Sequence, residues 1–254
     1  MEDKRTISPY LNDKLMYGFG FLAGLIWLVL GTTFFILPLL FIGENDFNMD
    51  VMMDKIMMYQ SYASVVTEIV GIAIAIIFFK KVFISDFKSF KDNWKRNLII
   101  IVAASALMYA SGFLFEYIYE ILEIDSDSGN QEMIEKILFS DGKLTMILQV
   151  ALVAPIFEEI VFRKMPFGFL NELKLHRLVS FILVAFLFAL VHCSYENFFT
   201  IEAYIFLLNY FVLSVVLTGA YVLAKDNIYT SIIVHMINNL MSLLMLYGVI
   251  NAIV

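Results

Sequence analysis

Two adjacent glutamates, Glu158 and Glu159, lie inside a long apolar stretch of the chain. A carboxylate in hydrocarbon persists only when it is paired, hydrated or protonated, so ionisable groups in such a stretch suggest a functional site. Arg163 follows Glu159 by four residues, and residues at this spacing share one helix face. The spacing predicts a buried ion pair that fixes Glu159. Glu158 points about 100° away around the helix and is the candidate general base.

Two further spacings of four residues place polar groups on other apolar segments. Phe188 precedes His192, and His235 precedes Asn239. A neutral imidazole and a carboxylate can together activate water, so we expect His192 to share a water molecule with Glu158, beside the ring of Phe188. Two donors, from His235 and Asn239, can stabilise an oxyanion. These are the parts of a peptide hydrolase that needs no covalent nucleophile.

Each of these residues alone has a simpler interpretation. A single Asn or His in a membrane helix usually forms a hydrogen bond between helices. The conjunction of six polar groups on three segments favours a site instead. Glu68 and Asn209 stay open between membership of this site and helix–helix hydrogen bonding. Pro155, three residues before Glu158, removes a backbone donor and predicts a local distortion of its helix.

The composition indicates a polytopic membrane protein. Of 254 residues, 61% are hydrophobic and only 16% are charged, and the mean hydropathy is +0.83. A soluble domain has about a quarter charged residues. An all-α bundle of about seven transmembrane helices is predicted, or eight if the first segment divides near Gly31 or Pro38. The seven segments are 16–42, 62–84, 97–121, 144–169, 178–198, 204–224 and 230–252.

The basic residues predict a cytoplasmic N-terminus, because cytoplasmic loops carry the excess of Lys and Arg. With this orientation, the outer loops hold only Lys55, Lys136 and Lys143. The inner segments hold Lys4, Arg5, Lys14, Lys80, Lys81, Lys88, Lys91, Lys95, Arg96, Lys174, Arg177 and Lys225.

The polar intramembrane residues crowd into the second half of the chain. This asymmetry argues against a transporter built from inverted repeats, which places its broken helices at matching positions. We therefore predict N-terminal helices and loops over 1–143 and a catalytic helical core over 144–252, in one integrated membrane domain. The single cysteine, Cys193, excludes an intramolecular disulfide and a metal site built from several cysteines.

The three motifs occur in order on successive apolar segments. They are Glu-Glu-x-x-x-Arg from Glu158, Phe-x-x-x-His from Phe188 and His-x-x-x-Asn from His235. This set resembles the CPBP family, which contains the CAAX prenyl endopeptidases and the bacteriocin-processing proteins and is also called the Abi family. The resemblance covers about residues 144–252.

The resemblance implies an intramembrane endopeptidase with a helical fold. It implies that Glu158 and His192 activate the attacking water and that His235 and Asn239 bind the oxyanion. The family has been described both as metal-dependent and as glutamate-type. Glu158, His192 and His235 would make a three-ligand zinc set with an open position. We favour the glutamate-type mechanism, with no metal or other cofactor, and keep zinc as the alternative.

The expected substrate is a short membrane-associated peptide or protein, such as a pheromone, a bacteriocin or a CAAX-like chain. The expected location is a bacterial plasma membrane, with the lipid bilayer as a partner and no nucleic acid. One alternative is a non-catalytic scaffold or immunity protein that acts on a partner such as a sensor kinase. Another is a proton-coupled transporter that uses the two glutamates and two histidines as a relay. The sequence carries no signal for the oligomeric state.

Overall fold

The computed structural model describes residues 15–27, 49–124, 134, 143–193 and 200–253, and these residues form helices and no strands. Seven helices follow one another along the described chain. They are α1 (Leu15–Trp27), α2 (Met49–Asp92), α3 (Trp94–Leu122), α4 (Lys143–Glu172), α5 (Arg177–His192), α6 (Ile201–Leu223) and α7 (Ile228–Ile253).

Five of these helices, α2, α3, α4, α6 and α7, are long and apolar enough to cross a membrane. The predicted all-α membrane bundle is therefore confirmed. Helix α5 has 16 residues, or about 24 Å, which is shorter than a bilayer core of about 30 Å. The proposed division near Gly31 or Pro38 lies outside the described residues, and the cytoplasmic N-terminus stays a prediction.

Helix α2 extends well beyond the predicted apolar segment 62–84, because hydropathy marks the part of a helix in the bilayer and not where the helix ends. Phe79 breaks its regular geometry, with φ −111° and ψ 17°. The break comes directly before Lys80 and Lys81, where the chain changes from apolar to mixed sequence. The remaining part of α2 carries the polar residues that close one end of the bundle.

Helix α4 occupies a central position and contacts α2, α5 and α7. An aromatic and aliphatic cluster that includes Phe157, Phe162 and Phe188 joins it to α5. Gly71 allows α2 to approach closely, since a Cβ atom there would lie 2.5 Å from the ring of Phe157. The residues on either side of Glu158 are therefore held by packing against two neighbouring helices.

A buried polar cluster ties α2, α4 and the turn between α6 and α7 together. Lys164 Nζ donates to Asp86 Oδ2 at 2.6 Å and to the carbonyl of Asp226 at 3.1 Å. Asn227 Nδ2 donates to the carbonyl of Asp86 at 2.7 Å. Lys225 and Asp226 both have positive φ, so these bonds stabilise a turn whose backbone is sparsely populated for residues other than glycine.

Asp86→Ala should lower the stability of the bundle, because it leaves the ammonium group of Lys164 buried without its carboxylate. Breaking a buried ion pair on one side typically costs about 3–5 kcal/mol. The matched control is Asp92→Ala, which removes an exposed carboxylate from the end of the same helix. Thermal unfolding of both purified variants in detergent measures the difference, and equal midpoints would contradict the assignment.

Candidate active site

The candidate site is built around two widened turns of α4. Gln149–Val153 and Ile160–Lys164 are π-helical, and the six residues Ala154–Glu159 between them are α-helical. Single π turns inside α-helices occur frequently at functional sites. Pro155 lies at the start of the α-helical piece and has no N–H for the carbonyl of Ala151. The predicted distortion is present. Glu158 and Glu159 are the last two residues of the α-helical piece.

The ion pair expected from the spacing of Glu159 and Arg163 forms at the centre of the bundle. Arg163 Nη1 donates to Glu159 Oε1 at 2.9 Å, and both side chains have no exposed surface. Arg163 Nη2 donates to Ser214 Oγ of α6 at 3.0 Å. The guanidinium also lies over the ring of Phe188, 4.2 Å from its centroid. One cation thus joins α4 to α5 and α6.

Ser214 is a site residue that sequence analysis missed. It is fully buried in α6, and its only signal in the sequence is a hydroxyl within an apolar segment. Serine in such a segment commonly bonds to its own helix backbone, so the type of residue alone does not indicate a partner on another helix. Its bond with Arg163 depends on how α6 lies beside α4, which the sequence of α6 does not encode.

Phe188 lies beside His192 as predicted and contacts more of the site than expected. Its ring stacks on the imidazole of His192, with centroids 4.0 Å apart and planes at 26°. It meets His235 edge-on at 6.0 Å. Tyr210 of α6 also packs against His192, at 5.1 Å between ring centroids. These rings restrict both histidines to a narrow range of orientations.

The hydrogen bonds of the two histidines determine which ring nitrogen faces Glu158. His192 Nδ1 lies 2.8 Å from the carbonyl of Phe188, and His235 Nδ1 lies 3.0 Å from Glu159 Oε1. Since both partners are acceptors, each Nδ1 carries a hydrogen. The opposite nitrogens, both Nε2, lie 3.7 Å from the same atom, Glu158 Oε2. This distance is too long for a direct hydrogen bond.

Glu158 and His192 are less buried than the ion pair beside them. Exposed fractions are 18% for the Glu158 side chain and 16% for His192, against none for Glu159. The carboxylate that lacks a fixed cation is therefore the more exposed of the two. Glu159 adjoins it in the sequence but lies in the sealed interior.

Asn239 is bound differently from the arrangement expected for two matched donors. Its Nδ2 donates to the carbonyl of Val150 at 2.9 Å, within the first π turn of α4. His235, one helical turn away, instead bonds to Glu159 and lies beside Glu158. An asparagine amide has two hydrogens, and the bond to Val150 uses one of them. Asn239 thus anchors α7 to the widened turn.

The two residues left open in the sequence have separate partners. Asn209 Nδ2 donates to the hydroxyl of Tyr119 at 2.9 Å and so links α6 to α3. Glu68 accepts from Gln149 Nε2 at 3.0 Å, again at the first π turn. Asn209 therefore forms a helix–helix hydrogen bond, whereas Glu68 lies against the helix that carries the site.

The zinc alternative requires Glu158, His192 and His235 to act as ligands. Their donor types suit zinc, and each Nδ1 already has the oxygen partner that ligating histidines usually have. Within the part of the chain that the structure describes, however, no group of three His, Cys, Asp or Glu side chains is arranged to hold a metal ion.

Residues 140–241 match the model of a protein family described as type II CAAX prenyl endopeptidase Rce1-like. The predicted resemblance is confirmed. The matched range contains all three motifs, from Glu158 to Asn239. The membrane-embedded CAAX protease MroQ of Staphylococcus aureus (strain USA300) is 30% identical over 147 residues, which are 55% of this chain and 56% of that protein. The chain thus matches about half the length of this relative.

No solved structure matches the chain. The similarity to a membrane-embedded relative and the five apolar helices agree, and the protein is a multi-pass membrane protein.

Arg163→Met should destabilise the protein strongly, because it leaves the Glu159 carboxylate buried without its cation, at a cost of about 3–5 kcal/mol. Glu159→Gln in the same chain removes the orphaned charge, so the double variant should be more stable than Arg163→Met alone. Thermal unfolding of wild type, both single variants and the double variant gives the coupling energy. Additive effects would show that the two side chains do not form the predicted pair.

Proposed function

We propose that this protein is an intramembrane endopeptidase in which Glu158 and His192 activate a water molecule. The observation that carries the proposal is the 3.7 Å separation of Glu158 Oε2 and His192 Nε2. In the neutral imidazole, whose Nδ1 carries the hydrogen, Nε2 is an acceptor, and a carboxylate oxygen is also an acceptor. A water molecule has two donor hydrogens and can bridge them.

The same arrangement supplies the proton transfers of peptide hydrolysis. The water oxygen adds to the carbonyl carbon of the peptide bond while Glu158 takes a water proton. The tetrahedral intermediate then collapses, the carbon–nitrogen bond breaks, and Glu158 returns the proton to the leaving amine. His192 orients the water through its fixed ring. No covalent intermediate with the protein is needed.

His235 and Asn239 are the proposed donors for the oxyanion. His235 Nδ1 donates to Glu159, so only the doubly protonated ring can offer a second hydrogen from Nε2. In that form, the positive ring lies between Glu158 and Glu159. It offsets the negative charge of Glu158, which Arg163 does not balance. Asn239 contributes its second amide hydrogen. Donors held in this way stabilise developing negative charge without reorganising.

The names of the matching proteins support proteolysis, since one is a family of prenyl endopeptidases and the other a CAAX protease. The proposed substrate is a short membrane-associated peptide or protein, including chains with a CAAX-like end. We propose a metal-free reaction, because a single water molecule can bridge Glu158 Oε2 and His192 Nε2 and be activated by these two groups alone.

Glu158→Gln and His192→Ala should each lower cleavage of a quenched fluorescent peptide library by about 100-fold or more, since general acid–base groups contribute about 10²–10⁴ in rate. The assay uses detergent-purified protein. Glu120→Gln and His176→Ala are the matched controls, because they make the same changes at exposed positions. Both controls should retain activity.

The chelator arm separates the two mechanisms. Cleavage that persists with a strong chelator supports the glutamate-type reaction, whereas loss that zinc restores would identify a metalloprotease. Absence of cleavage by wild type with every peptide would contradict the proposed activity and favour the scaffold interpretation. Coupled substrate flux in liposomes without proteolysis would favour the transporter.

A further inference from the structure

Glu68 of α2 is a buried carboxylate that the proposed reaction does not use. The residue is only 8% exposed, and its Oε1 accepts from Gln149 Nε2. Its Oε2 has no hydrogen-bond partner in the described part of the chain, and no cationic side chain described there forms an ion pair with it. A half-satisfied carboxylate inside a membrane bundle is costly and suggests a ligand.

Gln149 adds a second acceptor of the same kind. Its amide nitrogen donates to Glu68, and its own Oε1 is buried without a partner among the described residues. The two side chains, called here the Glu68–Gln149 pair, therefore present two unbonded oxygens, one of them on an acid. A group that satisfies both must offer several hydrogens, and a positive charge binds such oxygens most strongly. Ammonium and guanidinium groups have both properties.

The Glu68–Gln149 pair lies near the reacting groups. Gln149, which bonds to Glu68, precedes Glu158 by nine residues on α4, or about 13.5 Å along the helix. Gly71, three residues further along α2, packs against Phe157, the residue before Glu158. One helical turn is about 5.4 Å and one extended peptide residue spans about 3.4 Å. A peptide with its scissile bond at Glu158 therefore reaches the pair within about four residues.

The charges around the site favour a cation at this position. Three glutamates, Glu68, Glu158 and Glu159, lie in or beside the site. Arg163 is bonded to Glu159, and His235 lies between Glu158 and Glu159, so neither of these side chains pairs with Glu68 among the described residues. Lys164 has its own partner, Asp86, at the end of the bundle. A positive group bound to Glu68 would balance the charge of its carboxylate and satisfy its free oxygen.

We propose that the Glu68–Gln149 pair is a specificity subsite for a cationic group of the peptide substrate, a lysine or arginine side chain or an N-terminal ammonium. This inference rests on the proposed function and adds to it the substrate class: a peptide with a positive charge within about four residues of the bond that is cut. Glu68 binds the charge, and Gln149 holds Glu68 in place while accepting a further hydrogen.

Positional scanning tests the subsite. A neutral peptide that the wild type cleaves is resynthesised with lysine, or with norleucine of similar length, at each of the four positions on either side of the scissile bond. Wild type should prefer lysine at one position by about tenfold or more in kcat/KM. Glu68→Gln should remove that preference, because it keeps the hydrogen bond from Gln149 and loses only the charge.

The ratio of lysine to norleucine cleavage is the readout, because a loss of folded protein lowers both rates equally and leaves the ratio unchanged. Gln149→Leu should weaken the preference while retaining Glu68. Glu120→Gln, the same change at an exposed position, should leave the preference intact. A ratio near one for wild type at every position, or an unchanged ratio in Glu68→Gln, would overturn the subsite while the proposed activity stands.

Binding separates the subsite from the activity. The lysine and norleucine peptides are titrated by fluorescence anisotropy against Glu158→Gln and against the double variant Glu68→Gln/Glu158→Gln. Tighter binding of the lysine peptide that depends on Glu68 supports the subsite, even if no peptide is cleaved and the proposed activity fails. Equal binding of both peptides to Glu158→Gln would overturn it.

Discussion

The site depends on the ion pair between Arg163 and Glu159, two charges that the bilayer cannot hydrate. Removing each from water costs several kcal/mol, and the attraction between them offsets this only with good geometry and further hydrogen bonds. Ser214 and the face of Phe188 supply contacts to the guanidinium, and His235 supplies one to the carboxylate. Four helices, α4 to α7, therefore meet around one pair. Any of them that moved away would leave a charge without a partner, so the pair fixes their relative positions.

Because the two glutamates are adjacent, the same ion pair also fixes the direction of Glu158, the proposed general base. Because neighbouring residues point about 100° apart on a helix, sealing Glu159 turns Glu158 towards the histidines. The two imidazoles are held by their Nδ1 atoms, one by its own helix backbone and one by Glu159. Their other nitrogens consequently face the same oxygen of Glu158. The orientation exists before any substrate binds, and groups positioned in advance do not have to reorganise during a reaction.

Sequence patterns predicted the contacts that lie within one helix and missed most of those between helices. The spacing of four residues placed Arg163 on Glu159 and Phe188 against His192, since helical geometry alone determines both. The same spacing suggested that His235 and Asn239 act together, yet they bind different parts of α4. Their partners depend on how α7 lies against α4, which the periodicity of α7 does not encode. Ser214 was missed for the same reason.

The ends of α2 and α5 differ from the apolar segments because hydropathy reports the environment of a helix and not its length.

The two π turns explain how one helix can carry both the proposed reacting groups and the groups that bind its neighbours. A π turn widens the helix and breaks the regular i→i−4 ladder, which leaves carbonyls free for other donors. Val150 in the first turn accepts from Asn239, and the same turn carries Gln149, which holds Glu68. The second turn carries Arg163 and Lys164, which bind α6 and α2. Between them, the six regular residues that end in Glu158 and Glu159 are fixed at both ends. A shift of α4 would therefore displace Gln149 and Glu158 together, which keeps their separation constant.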